Sequence, residues 1–138
     1  MHSFKSMASL LLAGSLAMQG VSAYAATPAE FQKTLETEAR ASAPGFSGFS
    51  AARGQQFFNS THGNDWSCSS CHTSNPRQPG RHASTGKEIA PMAPAANPVR
   101  FTNAAKVNKW FRRNCKDVLG RECTLAEKGD VLTYLLGL

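Results

Sequence analysis

Two cysteines and a histidine form the most chemically distinctive group in this chain. They lie in the run Ser67-Cys68-Ser69-Ser70-Cys71-His72, with two residues between the thiols and the imidazole directly after the second thiol. This spacing is the attachment pattern of a c-type haem, in which each thiol bonds a haem vinyl group. The adjacent imidazole can then bind the iron as its proximal ligand. The motif predicts one covalent haem c attached to Cys68 and Cys71 and ligated by His72.

The first 25 residues have the pattern of a secretory signal. Lys5 precedes an apolar run over residues 10–18, and Ala23-Tyr24-Ala25 fits the small-x-small cleavage rule. The apolar run is short and contains Gly and Ser, whereas a spanning helix needs about 20 apolar residues, so a membrane anchor is the weaker alternative. We therefore predict cleavage after Ala25, a periplasmic location, and one mature domain over residues 26–138.

Export bears on the interpretation of all four cysteines. A bare Cys-x-x-Cys motif is also found in redox dithiols and zinc sites, but the immediate His72 and the export signal argue against both. Cys115 and Cys123 are then left over, and an oxidising compartment favours a disulfide bond between them.

The chain carries 15 Lys and Arg against 9 Asp and Glu, a formal net charge of +6. The basic residues are spread along the sequence from Lys33 to Lys128. Two interpretations fit this spread: a solvated basic surface, and electrostatic docking onto an acidic redox partner. Nucleic-acid binding is not expected of an exported chain.

The periodicity and capping signals predict an all-α fold, a small cytochrome c fold of about four helices around one haem. Capping boxes at Thr27 and Thr124 mark the starts of the first and last helices. In the second helix Gly54 precedes an aromatic pair, which is the usual entry into cytochrome c folds: the glycine permits a close helix crossing and the aromatic packs on the last helix. The predicted helices span residues 28–41, 50–59, 104–115 and 125–136.

A long proline-rich loop separates the second and third of these helices. It runs from Arg77 to Arg100 and is low in helix signals, and long loops inside compact domains are usually functional. We expect it to wrap the haem edge. Its basic residues are candidate partners of the haem propionates: Arg77, Arg81, Lys87 and Arg100.

The sixth position of the iron has four candidate ligands in the sequence. Met92 lies in a Pro-Met-Ala-Pro run 20 residues after His72, and His62 and His82 lie in polar loops. Asn114 ends the apolar stripe of the third predicted helix, formed by Val107, Trp110 and Phe111. A buried amide needs a partner, because burying it unpaired costs free energy. The residues alone do not decide which of these four side chains binds the iron.

Most of the mature chain resembles a known family, that of the sphaeroides haem protein and cytochrome c″. The resemblance covers residues 57–135 and rests on the haem motif together with Trp110-Phe111-Arg112-Arg113-Asn114-Cys115, Gly120-Arg121-Glu122-Cys123, Pro91-Met92-Ala93-Pro94 and Arg100-Phe101-Thr102. In cytochrome c″ the residue before the first of the paired cysteines is a histidine ligand. In the sphaeroides haem protein it is an asparagine, as Asn114 is here.

The resemblance implies that Asn114 is a distal iron ligand released on reduction, so that ferrous haem can bind O2, NO or CO. It also implies two redox partners, a dihaem cytochrome c and a membrane cytochrome b. The expected function is therefore single-electron transfer coupled to diatomic ligand binding. Two alternatives remain: a His–Met electron carrier through Met92, and a reductase of NO, O2 or peroxide. Since no distal acid–base pair stands out, enzymatic turnover ranks below binding and transfer.

Overall fold

Five helices and one small hairpin make up residues 27–138, the part of the chain that the computed structural model describes. The elements are α1 (Pro28–Ser42), α2 (Ala51–Asn59), α3 (Cys68–His72), β1 (Gly80–Arg81), β2 (Glu88–Ile89), α4 (Ala104–Leu119) and α5 (Leu125–Leu136). The two strands pair antiparallel, with Gly80 opposite Ile89. The mostly helical fold is confirmed, and the helix missing from the sequence prediction is the short α3. The predicted signal over residues 1–25 lies outside the described residues.

Capping side chains explain where the first and last helices begin. The Thr27 hydroxyl accepts a hydrogen bond from the Glu30 amide at 3.2 Å, and the Glu30 carboxylate accepts one from the Thr27 amide at 2.6 Å. Thr124 and Glu127 repeat the arrangement at 3.2 and 2.7 Å. Each pair satisfies amides that have no partner inside a helix. Both predicted capping boxes are present.

The core forms where α2 crosses α5, and Gly54 permits this crossing. A Cβ atom at position 54 would stand 1.9 Å from the Asp130 carbonyl oxygen, closer than any side chain could be placed. One turn later Phe58 is 1% exposed, and its ring centroid lies 5.8 Å from that of Tyr134. The predicted glycine–aromatic entry into the cytochrome fold is confirmed. Helix α1 packs on the other side of α5 through Phe31, Leu35 and Ala39.

An ion pair that the sequence analysis did not anticipate fixes the start of α2 to α5. The buried carboxylate of Asp130 accepts hydrogen bonds from Arg53 Nε at 2.7 Å and Nη2 at 2.9 Å, and from the Ser50 amide at 2.6 Å. The hydrogen bond to Asp130 raises the pKa of Arg53. Because three donors surround it, the buried carboxylate is compensated.

Helix α4 is longer than the sequence predicted. The expected end at Cys115, with a turn from Asp117 onward, is wrong: the helix continues to Leu119 and ends at Gly120, which has a φ of 71°. Left-handed backbone at this position suits glycine. Residues 116–119 contain no helix breaker, and Val118 extends the buried side of the helix by one more turn.

Trp110 does not lie on the buried side of α4, contrary to the predicted stripe. Its side chain is 45% exposed, and the guanidinium carbon of Arg113 lies 5.3 Å from its ring centroid. The buried side is formed instead by Val107, Cys115 and Val118, with Phe111 half-buried. None of the helices within residues 27–138 has the length and apolarity to cross a membrane.

Candidate haem site

Helix α3 brings the three residues of the haem motif into one turn. Ser67 caps it: its hydroxyl accepts from the Ser70 amide at 3.2 Å, while the Ser70 hydroxyl accepts from the Ser67 amide at 3.0 Å. Residues three apart share one face of a helix, so the turn places Cys68 and Cys71 on the same side. The capping serines show why this short segment is helical, although the sequence analysis predicted no helix there.

His72 is largely buried, and its Nδ1 atom has no hydrogen-bond partner in the described part of the chain. Burial, followed by the charges of Arg100 and His82, lowers its pKa to about 4. The imidazole is therefore neutral at physiological pH, the form in which a ring nitrogen can bind a metal. A buried, neutral and unpartnered imidazole fits a proximal iron ligand.

The two thiols also suit haem attachment better than redox or zinc chemistry. Cys68 and Cys71 form no disulfide bond, and burial raises the pKa of the Cys68 thiol to about 11. Reactive dithiols and zinc-binding cysteines depend on a lowered thiol pKa. The Cys71 sulfur accepts a hydrogen bond from the Ala83 amide at 3.3 Å, which ties the motif to the following hairpin.

The chain leaves the motif through an unusual turn. Thr73 has a φ of 61°, a conformation that β-branched residues rarely adopt. Its hydroxyl holds the turn by donating to the Asn75 carbonyl at 2.7 Å and accepting from the Asn75 amide at 3.1 Å. Gly80 then passes so close that a Cβ atom there would lie 2.0 Å from the Cys71 carbonyl oxygen. Strained backbone of this kind clusters at functional sites, and the only sequence signal for it was the Pro79-Gly80 pair.

The proline-rich loop folds back onto the segment that follows His72. The carbonyl oxygen of Pro76 accepts hydrogen bonds from the amides of Met92 and Ala93 at 2.9 and 3.0 Å. Pro76 is fully buried, and Met92 packs against the core. The loop is thus anchored to the His72 side of the site.

Among the candidate propionate partners, Arg100 is the one that the fold buries in part. Its Nε donates to the Pro91 carbonyl at 2.8 Å, its Nη2 donates to the Ala90 carbonyl, and burial lowers its pKa. Its charge acts on His72, so it lies near the motif. Three others are exposed: Arg77, Arg81 and Lys87. All four propionate assignments stay predictions.

The two loop histidines have local backbone partners. His62 Nε2 lies 2.9 Å from the Phe57 carbonyl oxygen, and its ring stacks on Phe57 with centroids 4.2 Å apart. His82 is exposed, and its Nδ1 accepts hydrogen bonds from the amides of Ser84 and Thr85 at 3.2 and 3.3 Å. His62 therefore ties its loop to the last turn of α2, and His82 holds its own turn.

Asn114 lies on the inward side of α4, in the same register as Val107, Phe111 and Val118. Its side chain is half-buried and makes no hydrogen bond to any other residue of the described chain. The backbone of α4 lies farther from α5 than the backbones of α1 and α2 do, although α4 has a buried side. Directly after Asn114, a disulfide bond joins Cys115 to Cys123, with Cα atoms 5.5 Å apart.

Comparison with known sequences shows which family of proteins this chain belongs to. A family model described as "Domain of unknown function (DUF1924)" matches residues 44–135. Cytochrome c-type protein SHP of Cereibacter sphaeroides is 46% identical over 102 residues, which cover 71% of this chain and 75% of that protein. Cytochrome c'' of Methylophilus methylotrophus is 44% identical over 87 residues, 60% of each chain. This chain belongs to their family of c-type cytochromes.

Solved structures show the same relationship in three dimensions. Oxidized SHP, described as an oxygen-binding cytochrome c, matches with a TM-score of 0.70 and 42% identity, over 82% of this cytochrome and 98% of that chain. Oxidized cytochrome c'' matches with a TM-score of 0.72 and 36% identity, over 79% and 92%. The predicted family, the helical cytochrome fold and the haem c cofactor are confirmed. The thiols and the unpartnered imidazole of α3 fit that cofactor.

Proposed function

We propose that this cytochrome is an exported, monohaem electron-transfer protein that opens its iron to small ligands on reduction. In the ferric state His72 and Asn114 would occupy the two axial positions. In the ferrous state Asn114 would leave, and O2, NO or CO could bind. Haem c would be attached through Cys68 and Cys71 and would supply the one-electron chemistry. SHP, a relative described as an oxygen-binding cytochrome c, supports this class of function.

The observation that carries the proposal is the environment of Asn114. The amide is half-buried on the inward side of α4, and no side chain or backbone group of residues 27–138 bonds to it. The carboxamide oxygen is therefore available as a ligand to a group placed against this side of the helix. An iron ion facing the inner side of α4 would give the carboxamide oxygen such a partner.

The chemistry of the amide explains why this ligand would be lost on reduction. A neutral carboxamide is a weak oxygen donor. Ferric iron is the harder ion and tolerates such a donor, whereas ferrous iron is softer and holds it poorly. After release, the Asn114 amide could donate a hydrogen bond to a diatomic molecule in the vacated position. The neighbouring Cys115–Cys123 disulfide would hold the helix in place while the side chain moves.

The structure favours Asn114 over the other candidate ligands. Met92 is tied through its backbone amide to Pro76, in the segment that follows His72, which argues against its reaching the other side of the iron. His62 is bonded to the end of α2, and His82 to its own turn. Because both histidines are held by these hydrogen bonds, neither is offered as an acid–base residue for the reduction of NO, O2 or peroxide. We therefore rank an enzymatic function below electron transfer and ligand binding. Family resemblance supports a dihaem cytochrome c and a membrane cytochrome b as the redox partners.

Absorption spectra of the haem-loaded protein test the proposal directly. They should be recorded in the ferric state, the ferrous state, and the ferrous state with CO, for the wild type, Asn114→Ala and Met92→Ala. We expect the wild-type ferrous spectrum to shift with CO, and only Asn114→Ala to change the ferric spectrum. A low-spin, six-coordinate ferrous spectrum that CO does not alter would disprove the open-site proposal. A change in the ferric spectrum with Met92→Ala alone would assign that residue as the ligand instead.

A further inference from the structure

The positive charge of this cytochrome is concentrated on one helix. Helix α4 carries five basic side chains and one acidic side chain, whereas the rest of residues 27–138 carries nine basic and eight acidic ones. All five basic side chains of α4 are exposed. They share the side of the helix opposite Val107 and Val118, since a helix turns by about 100° per residue. We call them the basic face: Lys106, Lys109, Arg112, Arg113 and Lys116. The linear sequence suggested that the basic residues are evenly spread, but the fold gathers five of them on one side of α4.

The charges of the basic face have no ion-pair partners, and they stand close enough to repel one another. None of the three ion pairs within residues 27–138 involves any of its members. Lys109 and Arg113, and likewise Arg112 and Lys116, stand four residues apart, where like charges on a helix repel each other. Folding stability alone would favour some acidic residues at these positions, as Glu36 and Arg40 illustrate on α1, where they pair at 2.6 Å.

The basic face also has the composition of a protein-binding surface. Trp110, 45% exposed, lies at its edge with the guanidinium of Arg113 stacked on it at 5.3 Å. Tryptophan and arginine are the residues most enriched at binding hot spots. Towards the end of α4 the surface forms an open depression of about 380 Å³ lined by Arg112, Arg113 and Lys116, together with Gly120, Arg121 and Glu122.

We propose that the basic face of α4 is the docking surface for an acidic electron-donor protein. The proposal rests on the proposed function, because it assigns the surface through which electrons arrive. One electron would pass from the docked donor to the ferric haem, which becomes ferrous while the donor is oxidised by one electron. Charge complementarity argues for an acidic partner. Docking would occur on the helix that carries Asn114, so the donor would be held against the element whose side chain must move on reduction.

A protein partner fits the basic face better than an anionic membrane. Basic helices that bind membranes insert a broad apolar side between the lipids. Here the apolar side of α4 is turned inward, as the burial of Val107, Cys115 and Val118 shows. Trp110 is the one large apolar side chain exposed on this helix.

The test measures reduction of the haem-loaded ferric protein by photoreduced flavodoxin, an acidic electron-transfer protein, in a stopped-flow instrument. Lys109→Gln/Arg112→Gln removes two charges from the basic face. Lys33→Gln/Lys128→Gln removes two charges elsewhere, from residues that form none of the ion pairs in the described chain. For the wild type we expect the second-order rate constant to fall about tenfold between low salt and physiological ionic strength. At low salt we expect the face variant to react about five times more slowly and the control variant less than twice as slowly.

Equal rate constants for the two double variants would overturn the docking proposal, as would a wild-type rate that salt does not change. Sedimentation with phosphatidylglycerol vesicles that depends on Lys109 and Arg112, in the absence of any effect on flavodoxin, would overturn it in favour of a membrane surface. Dithionite, a small reductant, should reduce all proteins alike, and CO should shift all ferrous spectra. Loss of the CO shift in the wild type would count against the proposed function, whereas the salt and charge effects test docking alone.

Discussion

The carbonyl oxygen of Pro76 accepts a hydrogen bond from the backbone amide of Met92, with 2.9 Å between the oxygen and the nitrogen. This bond attaches the proline-rich loop to the segment just after His72. A second amide, that of Ala93, bonds to the same oxygen at 3.0 Å, so both lone pairs of that carbonyl are used. The backbone of Met92 is thereby held to the segment that follows His72, which supports the proposal that Asn114 on α4, and not Met92, is the second iron ligand.

Replacing Asn114 by histidine should turn a weak ligand into a strong one. An imidazole binds iron more strongly than a carboxamide, so the ferric protein should become low-spin. The change is checked by the ferric absorption spectrum and by electron paramagnetic resonance. Asn108→His, on an exposed position of the same helix, is the matched control and should leave both unchanged. A high-spin ferric Asn114→His protein would mean that this side chain does not reach the iron.

Gly54→Ala should destabilise the crossing of α2 and α5. The new methyl group would meet the Asp130 carbonyl oxygen at 1.9 Å, so the helices must separate. Overpacking of this kind costs about 3 kcal/mol of the free energy of unfolding, which denaturant titration of the haem-loaded protein would measure. Gly137→Ala is the control, because its Cβ atom would lie 3.5 Å from its nearest neighbour, and it should change stability by less than about 0.5 kcal/mol. Similar effects of the two substitutions would contradict the close crossing.

Removing the disulfide bond should lower stability without abolishing haem attachment. Cys115 and Cys123 are separated by 8 positions, and closing so short a loop is worth about 2.5 kcal/mol on chain-entropy grounds. The double variant Cys115→Ser/Cys123→Ser avoids a stray thiol that could compete with the haem motif. Its denaturant midpoint should fall, while the pyridine haemochrome spectrum should still show two thioether bonds. An unchanged midpoint would show that the bridge adds nothing to stability.

The start of α5 should weaken in acid. Hydrogen bonds from Arg121, opposed by burial and supported by the Thr124 amide, lower the pKa of Glu127 below its usual 4.5. A carboxyl group with a lowered folded-state pKa stabilises the protein above its unfolded pKa, and this contribution is lost as the pH falls through the folded value. At pH 7 Glu127→Gln keeps the acceptor of the capping box but loses the charge that pairs with Arg121, so it should cost about 1 kcal/mol. This difference from wild type should shrink as the pH falls from 4.5 through the lowered folded-state pKa.

Denaturant titrations at several pH values measure that difference. Glu38→Gln is the control, since this exposed carboxylate forms no salt bridge within residues 27–138. It should leave stability nearly unchanged throughout. A Glu127→Gln effect that persists at pH 3 would assign the loss to packing and not to charge.

Local signals predicted the parts of the fold that local interactions create. The capping boxes at Thr27 and Thr124 set the starts of α1 and α5. Contacts between distant residues could not be obtained in this way. Arg53 and Asp130 lie 77 positions apart, so the sequence gives no periodic or capping signal for their pairing.

The site shows the same division between local and distant information. The haem motif is a local pattern, so it was found at once. The φ of Thr73 and the bond from Met92 to Pro76 depend on how the loop returns to α3, which the order of residues does not reveal. The concentration of charge on α4 was available from helical spacing, but only once the helix was known to continue through Lys116.

The short separation of Cys115 and Cys123 has a consequence for how the protein matures. In an oxidising compartment four thiols can pair in several ways, and a wrong pair would block haem attachment. Closing the loop between Cys115 and Cys123, 8 positions apart, is favoured over a cross-pair of Cys115 with Cys71, 44 positions away. The difference in closure entropy is about 1.5 kcal/mol, roughly a tenfold preference. Loop closure thus favours the structural pair over cross-pairs with α3, and Cys115 and Cys123 do not compete with the haem for the two thiols of that helix.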